Sequence, residues 1–590
     1  MGRVSATRRF ADCIIGTDHA RAGVLPAYPS SGQQFIAPSA SDAAVHVLMS
    51  NADEGAFAHP LEDTPDPEPV HRVGPSREAA SAELERRATP SIDWAYPRLD
   101  HSRRNSLNGV SPMTRRTRFR NASWLVAWED ERHVYRRDID LVIDGNAIVF
   151  IGRGYDGPCD LEVDAAGKMI LPGLVNIHAH PSSEPLRKGI TDEIRSPAFW
   201  HSSLYEFLPV LRNDPEGMIA SLEVALAELL LSGVTTVVDL SFPYEGWLDT
   251  LARSGIRGIA APMVRDGSWQ TPNGHSIEYT WDAAAGAKSF EDACGVIDRA
   301  NQHPSGRLAG MVCPAQVDTC SADLIRKGFE HARARNLPFQ IHAAQSINEF
   351  HEIFRRTGRT PIGWLESLGV LGEHTIIGHG IFLDHHPWLH WTTRDDLRRL
   401  QASGTTVAHC PTVFMRRGIA LTTLGGYLRE GVNVGIGTDT YPHSSLDEMR
   451  NALTVARVAA GTVDDVTTAQ VFHAATVAGA EAIARPDIGR LAVGAKADIV
   501  LVDTDHPAMR PPRDPVRSLI YVAGDRAVSD VYVGGVQVVA DGEPVFLDRR
   551  AASIELERAQ QRMLANVKRL DWAGRTPGEL APLALPLKDK

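Results

Sequence analysis

Apolar and polar residues follow two rhythms along the chain. From Phe119 onward the pattern is β-like, with short strands predicted at residues 124–128, 139–143 and 147–152 and Asp144-Gly145-Asn146 as a tight turn between the last two. A matching set closes the chain at residues 496–503 and 531–539, followed by the turn residues Asp541-Gly542. Segments so far apart in sequence complete one small β-sandwich and bring the two ends of the intervening region together.

Between these sets, strands alternate with helical periods. Asp214-Pro215 predicts an N-cap and a first-turn proline, residues 221–231 an apolar-rich helix, Gly233 its end, and residues 234–239 a β-branched strand. Further strands are predicted at 256–261, 308–313, 339–342, 375–379, 405–409 and 432–439, with helical periods at 322–335 and 394–403. Counting the apolar run 169–177, this makes eight strands over roughly 260 residues, the pattern of an α/β protein with a (β/α)8 TIM barrel.

The chain is thereby expected to divide into a β-sandwich half at 113–173, a barrel at 174–485, the second sandwich half at 486–545 and a C-terminal helical tail at 546–590. Residues 1–112 are rich in Pro, Ser, Ala, Asp, Glu and Arg, with a helical period only at 76–87. They read as a disordered extension, or as sequence upstream of a true start at Met113.

Four of the predicted strands end in residues that bind metals. The first ends in His178-Ala179-His180, and alternate strand residues share a face, so both imidazoles emerge on one side. His342, His379 and Asp439 end three more, and the carboxyl ends of barrel strands form that fold's active face.

Composition narrows the chemistry. The 43% hydrophobic and 23% charged fractions are those of a globular protein. No run approaches the roughly 20 apolar residues of a membrane span, and the start resembles no secretory signal, so a cytoplasmic protein is expected. A formal charge of −12 argues against nucleic-acid partners. The six cysteines contain no Cys-x-x-Cys pair, so nitrogen and oxygen ligands must hold any metal.

The segments Pro172-Gly173-Leu174-Val175-Asn176-Ile177-His178-Ala179-His180, Gly233-Val234-Thr235-Thr236, His409-Cys410-Pro411-Thr412, Gly437-Thr438-Asp439 and Gly494-Ala495-Lys496-Ala497-Asp498 carry a family likeness. In their order and spacing, from about Phe119 to about Val545, the chain resembles the amidohydrolase superfamily, in the branch of triazine chlorohydrolases, aminohydrolases and cytosine-deaminase-like enzymes. The resemblance implies that His178, His180, His342 and Asp439 bind one divalent metal, Zn(II) or alternatively Fe(II), with a position left for water. It further implies that Asp439 accepts and returns a proton and that His379 contacts the attacking water or the polarised substrate atom. Cys313-Pro314 ends the fourth strand without a lysine that could bridge two metals.

One position departs from the pattern. Deaminases of this branch commonly carry a glutamate three residues after the fifth-strand histidine, and here Gln345 stands there. An amide cannot exchange a proton in that role. Asp439 then does all the proton transfer, or another acid such as Glu184 serves, or the substrate needs no ring protonation. His409 is either a substrate contact or a hydrogen-bonded core residue, while His374, His385, His386 and His443 read as surface groups. Trp200, Trp269 and Trp364 read either as the lining of a pocket for a flat substrate or as core; aromatic residues are more often core, and no site role is assigned to them.

The function expected is a mononuclear metal-dependent hydrolase acting on a small molecule at a carbon-nitrogen bond other than a peptide bond, removing an amino group from a nitrogen heterocycle. Hydrolysis of an amide, lactam or urea, dechlorination, and a noncatalytic scaffold of the same fold are the alternatives. Relatives often form homodimers. Specificity is expected in barrel loops such as 181–208 and 263–281.

Overall fold

The computed structural model describes residues 115–588. Eight parallel strands form its centre: β1 (Leu174–Ala179), β2 (Val234–Ser241), β3 (Arg257–Val264), β4 (Leu308–Gly310, resuming at Cys313–Pro314), β5 (Phe339–Ala343), β6 (Thr375–His379), β7 (Thr406–His409) and β8 (Val434–Ile436). Strands β1 to β4 and β5 to β8 pair in sequence order as two runs. Parallel bridges Val312↔Phe339 and Gln316↔His342 join the runs on one side, and Ala179↔Asp439 joins them on the other. The ring is therefore closed, and the expected barrel is present.

Strand alternation explains how it packs. Val238, Leu240, Ile259, Ala261, Ile376 and Ala408 meet in one apolar cluster. The residues that alternate with them, such as Val237, Ala260, Ile377 and Val407, join the larger core shared with the surrounding helices. One of these helices is α1 (Met218–Leu231). Its start differs from the sequence reading: the Asp214 side chain caps nothing, and its carboxylate instead accepts from Arg562 at 2.7 Å. Residues 263–281, read as a loop, contain a β-hairpin that pairs Gly267–Gln270 with Glu278–Trp281.

Strands from both ends of the described chain interleave in a second layer. Ile499–Asp503, from the C-terminal part, lies between Val528–Val533 and the N-terminal strand Lys168–Pro172 in a seven-stranded sheet. A four-stranded sheet contains Arg116–Ala122, and Phe119, Leu141, Ile170, Ile499 and Tyr532 fill one apolar core across both sheets. The buried pair Arg257–Asp498 fastens β3 to this layer at 2.8 Å.

A C-terminal helix, α2 (Arg549–Ala565), packs on α1 and on the segment after β1. Leu556, Ala559 and Met563 join Leu186, Phe207 and Val224 in a separate apolar cluster. Gln560 donates to the carbonyls of Leu186 and Lys188 at 2.9 and 3.0 Å. The expectations for residues 1–112 and for Met113 lie outside the described residues.

Candidate metal centre and active site

His178, His180, His342, His379 and Asp439, separated by up to 261 positions in sequence, converge at the carboxyl ends of β1, β5, β6 and just beyond β8. Two close-packed glycines make room for them. A Cβ at Gly378 would lie 2.7 Å from His178 Cε1, and one at Gly437 would lie 2.7 Å from the His178 carbonyl oxygen. Asp439 takes a left-handed backbone, φ 56°, which costs an L-residue about 1 kcal/mol or more. Two hydrogen bonds hold it there, Asp439 N–H to the His178 carbonyl and His180 N–H to the Asp439 carbonyl, both 2.9 Å.

Each of three imidazoles gives its Nδ1–H to an oxygen behind it. His180 donates to the Leu240 carbonyl at 2.8 Å, and His342 to the Ala315 carbonyl. His178 donates to Gln340 Oε1, and the Gln340 amide is fixed by its own donation to the Ile177 carbonyl at 3.1 Å. These bonds set one tautomer, leaving an Nε2 lone pair on each ring pointing inward. His178 Nε2 is buried without a partner, while the Nε2 atoms of His180 and His342 stand 3.2 Å apart.

Facing lone pairs need a cation between them. Burial disfavours a proton: it lowers the His180 pKa, and burial together with the neighbouring imidazoles holds His342 well below the usual histidine value. Burial would raise the Asp439 pKa, but His379, His178 and His180 overcome it and hold the carboxyl well below its ordinary range. Asp439 Oδ1 lies 3.5 and 3.4 Å from His178 and His180 Nε2, and Oδ2 lies 3.8 Å from His379 Nε2. Three imidazoles whose Nδ1–H groups are engaged behind them and an ionised carboxylate are a donor set that fits a divalent metal.

These groups border a cavity of about 690 Å³. Gln345 lies on its wall, its Nε2 buried and unpartnered, on a stretch of backbone held by Glu349, which accepts from Ala344 N–H at 2.6 Å. Glu184 is also on the wall, tied to Arg187. His409 is buried and is not on the wall; burial lowers its pKa to about 4, and burial with neighbouring histidines takes His379 to about 3.

A match to the amidohydrolase family spans residues 169–538. The chain belongs to the amidohydrolase family. Among amidohydrolase relatives, 5-methylthioadenosine/S-adenosylhomocysteine deaminase of Natronomonas pharaonis is 30% identical over 427 residues, covering 72% of this chain and 93% of that protein. Two zinc-bound structures share the fold at 22% identity. An adenosine deaminase from Xanthomonas campestris has a TM-score of 0.66, with 77% of this chain and 99% of that one covered. Atrazine chlorohydrolase TrzN from Arthrobacter aurescens TC1 has a TM-score of 0.64, with 75% and 100% covered.

Several residues of this amidohydrolase site differ from the sequence reading. Trp269 lines the cavity, its indole N–H buried and unpartnered, because the hairpin carries it over the barrel mouth. His443 and His386 are buried rather than at the surface, His443 with Nδ1 3.8 Å from Glu228 Oε2. Gln340, which accepts from His178, and Arg417, on the cavity wall, are site residues that the sequence reading does not include. Gln340 had a signal in the sequence, since it precedes His342 by two strand positions and therefore shares its face. Arg417 had none.

Proposed function

We propose that this chain is a mononuclear metal-dependent aminohydrolase that removes an amino group from a nitrogen heterocycle. His178, His180, His342 and Asp439 would hold one divalent ion, Zn(II) or Fe(II). The observation that carries the reading is the convergence of three Nε2 lone pairs and an ionised carboxylate beside one cavity. The deaminase name of a relative at 30% identity supports the reaction class. When bound, such an ion supplies Lewis acidity, lowering the pKa of a water and polarising the substrate.

The residues around it divide the remaining work. Asp439 is ionised at neutral pH, so its carboxylate takes a proton from the attacking water and returns it to the leaving amine. His379 is neutral there and acts through a hydrogen bond rather than a charge. Gln345 offers an unpartnered amide donor, which orients a substrate acceptor but cannot exchange a proton. Asp439 therefore carries both transfers.

Gln345 also favours a second reading, hydrolysis of an amide, lactam or urea, where no ring nitrogen needs a proton. Mass spectrometry of products distinguishes the two, using metal-replete protein with heterocyclic amines, lactams, ureas and chlorinated triazines and His342→Ala as the blank. Exchange of NH for O, absent from the blank, supports the aminohydrolase. Addition of water alone assigns the second reading, chloride release assigns dechlorination, and a stable fold with neither metal nor turnover assigns a scaffold.

A further inference from the structure

The cavity wall has the opposite charge balance to the whole protein. The chain carries a formal charge of −12, yet four arginines line this cavity, Arg187, Arg212, Arg265 and Arg417, against two carboxylates, Glu184 and Asp439. Both carboxylates are engaged, Glu184 with Arg187 and Asp439 with the histidines. Arg187 also donates to the Leu211 carbonyl and Asn213 Oδ1, Arg212 donates to the Pro209 carbonyl, and Arg265 lies 5.1 Å above the Phe242 ring.

Arg417 stands apart from the other three. Its neighbour Arg416 is occupied by Asp192, Thr440 Oγ1 and the Tyr441 carbonyl. Among the described residues the Arg417 guanidinium has only distant help: burial acts against its charge, and Asp439 and Glu184 offset that through space, without a hydrogen bond to either. Its place in the wall brings it near the reacting end of the cavity. Phe414, three positions earlier in the same segment after β7, packs its ring 4.7 Å from that of His379. A guanidinium remains charged when half-buried, and desolvating it without an acceptor is costly. Its planar fork matches a carboxylate or another pair of acceptor oxygens, and an excess of positive charge lining a cleft concentrates anions there.

We propose that Arg417 is a specificity-determining residue that binds an anionic oxygen of the substrate, so that the enzyme selects acidic nitrogen heterocycles over neutral ones. The heterocycle rests on the aminohydrolase reading; the anion rests on Arg417 and the charge of the wall. The oxygen belongs either to a carboxylate substituent or to an ionised ring.

Ligand pairs with no exocyclic nitrogen to hydrolyse test this without turnover. Orotate against 6-methyluracil probes the carboxylate, and urate against hypoxanthine at pH 7.5 probes the ionised ring. Calorimetric titration of the zinc-loaded full chain should show a preference for the anion of at least one pair by about ten-fold or more. Arg417→Gln should abolish that preference, Arg417→Lys should retain part of it, and added salt should weaken it in the parent protein. The pair that responds identifies the source of the oxygen. No preference in either pair, no binding of either anion, or a preference unchanged in Arg417→Gln overturns the proposal. Melting temperature and zinc content report whether each variant is intact; if Arg417→Gln does not fold, Arg417→Lys and the salt dependence decide. The product screen separates the two readings. Exchange of NH for O with no anion preference overturns only the role of Arg417, whereas an Arg417-dependent preference without that exchange overturns only the aminohydrolase.

Discussion

The histidines of the site hang from hydrogen-bonded barrel strands, whereas much of the cavity wall hangs from connecting segments that other parts of the chain hold in place. His342 ends β5, and its ring is fixed by a carbonyl of the preceding strand region. Glu184 and Arg187 instead sit in a short turn after β1, anchored from behind by Gln560 of α2. In the proposed function the ring of strands sets where a bond is broken and the wall sets which molecule is present when it breaks; the wall depends on contacts made by the last part of the described chain.

Four substitutions sharpen this contrast, in order of expected effect. His342→Ala removes one converging lone pair and should abolish metal binding, with activity falling by about a thousand-fold or more, since a metal supplies several kcal/mol to the transition state; metal analysis and product assay check both. Gln340→Leu leaves every proposed ligand in place but removes the acceptor that orients His178. Metal affinity should fall about 10- to 100-fold, with activity recovered by excess metal in a titration. Gln560→Ala should act only on the wall, raising KM about two- to five-fold at unchanged metal content, because it removes two hydrogen bonds of ordinary strength. Equal losses of metal in Gln340→Leu and Gln560→Ala would show that ring and wall are one unit.

The smallest effect concerns pH. Burial raises the Glu448 carboxyl to about 8, so the folded protein holds a proton there that the unfolded chain releases near its ordinary value. The folded state then binds more protons between those values, and stability contributed by this group falls as pH rises from about 4.5 to about 8. Glu448→Gln should reduce that slope in urea unfolding across this range. Asp239, raised by burial to about 7, keeps its own share of the dependence.

The ring was legible in the sequence because periodicity and chemistry coincide there. A β-branched run ending in His or Asp gives both the strand and its functional end, as in residues 375–379. The wall was not legible, since its contacts are set by packing between distant segments. Asp214 reads locally as a helix cap but pairs with Arg562, and His443 reads as a loop histidine although the start of the following helix is packed inward. Trp269 faces the cavity only because a hairpin folds over the barrel, and the alternation of residues 267–281 alone does not say which way that hairpin leans.

The seven-stranded sheet also sets an order of events during synthesis. Lys168–Pro172 pairs with Ile499–Asp503, which leaves the ribosome more than three hundred residues later. At about 5–20 residues per second that strand edge waits at least about 15 s for its partner. Throughout that interval Met169, Ile170 and Leu171 have no permanent neighbour on that side, so the nascent chain passes through a stage in which an apolar edge is open to other chains. The same interleaving that clamps the finished barrel leaves one of its own strand edges unpaired until the C-terminal part has emerged.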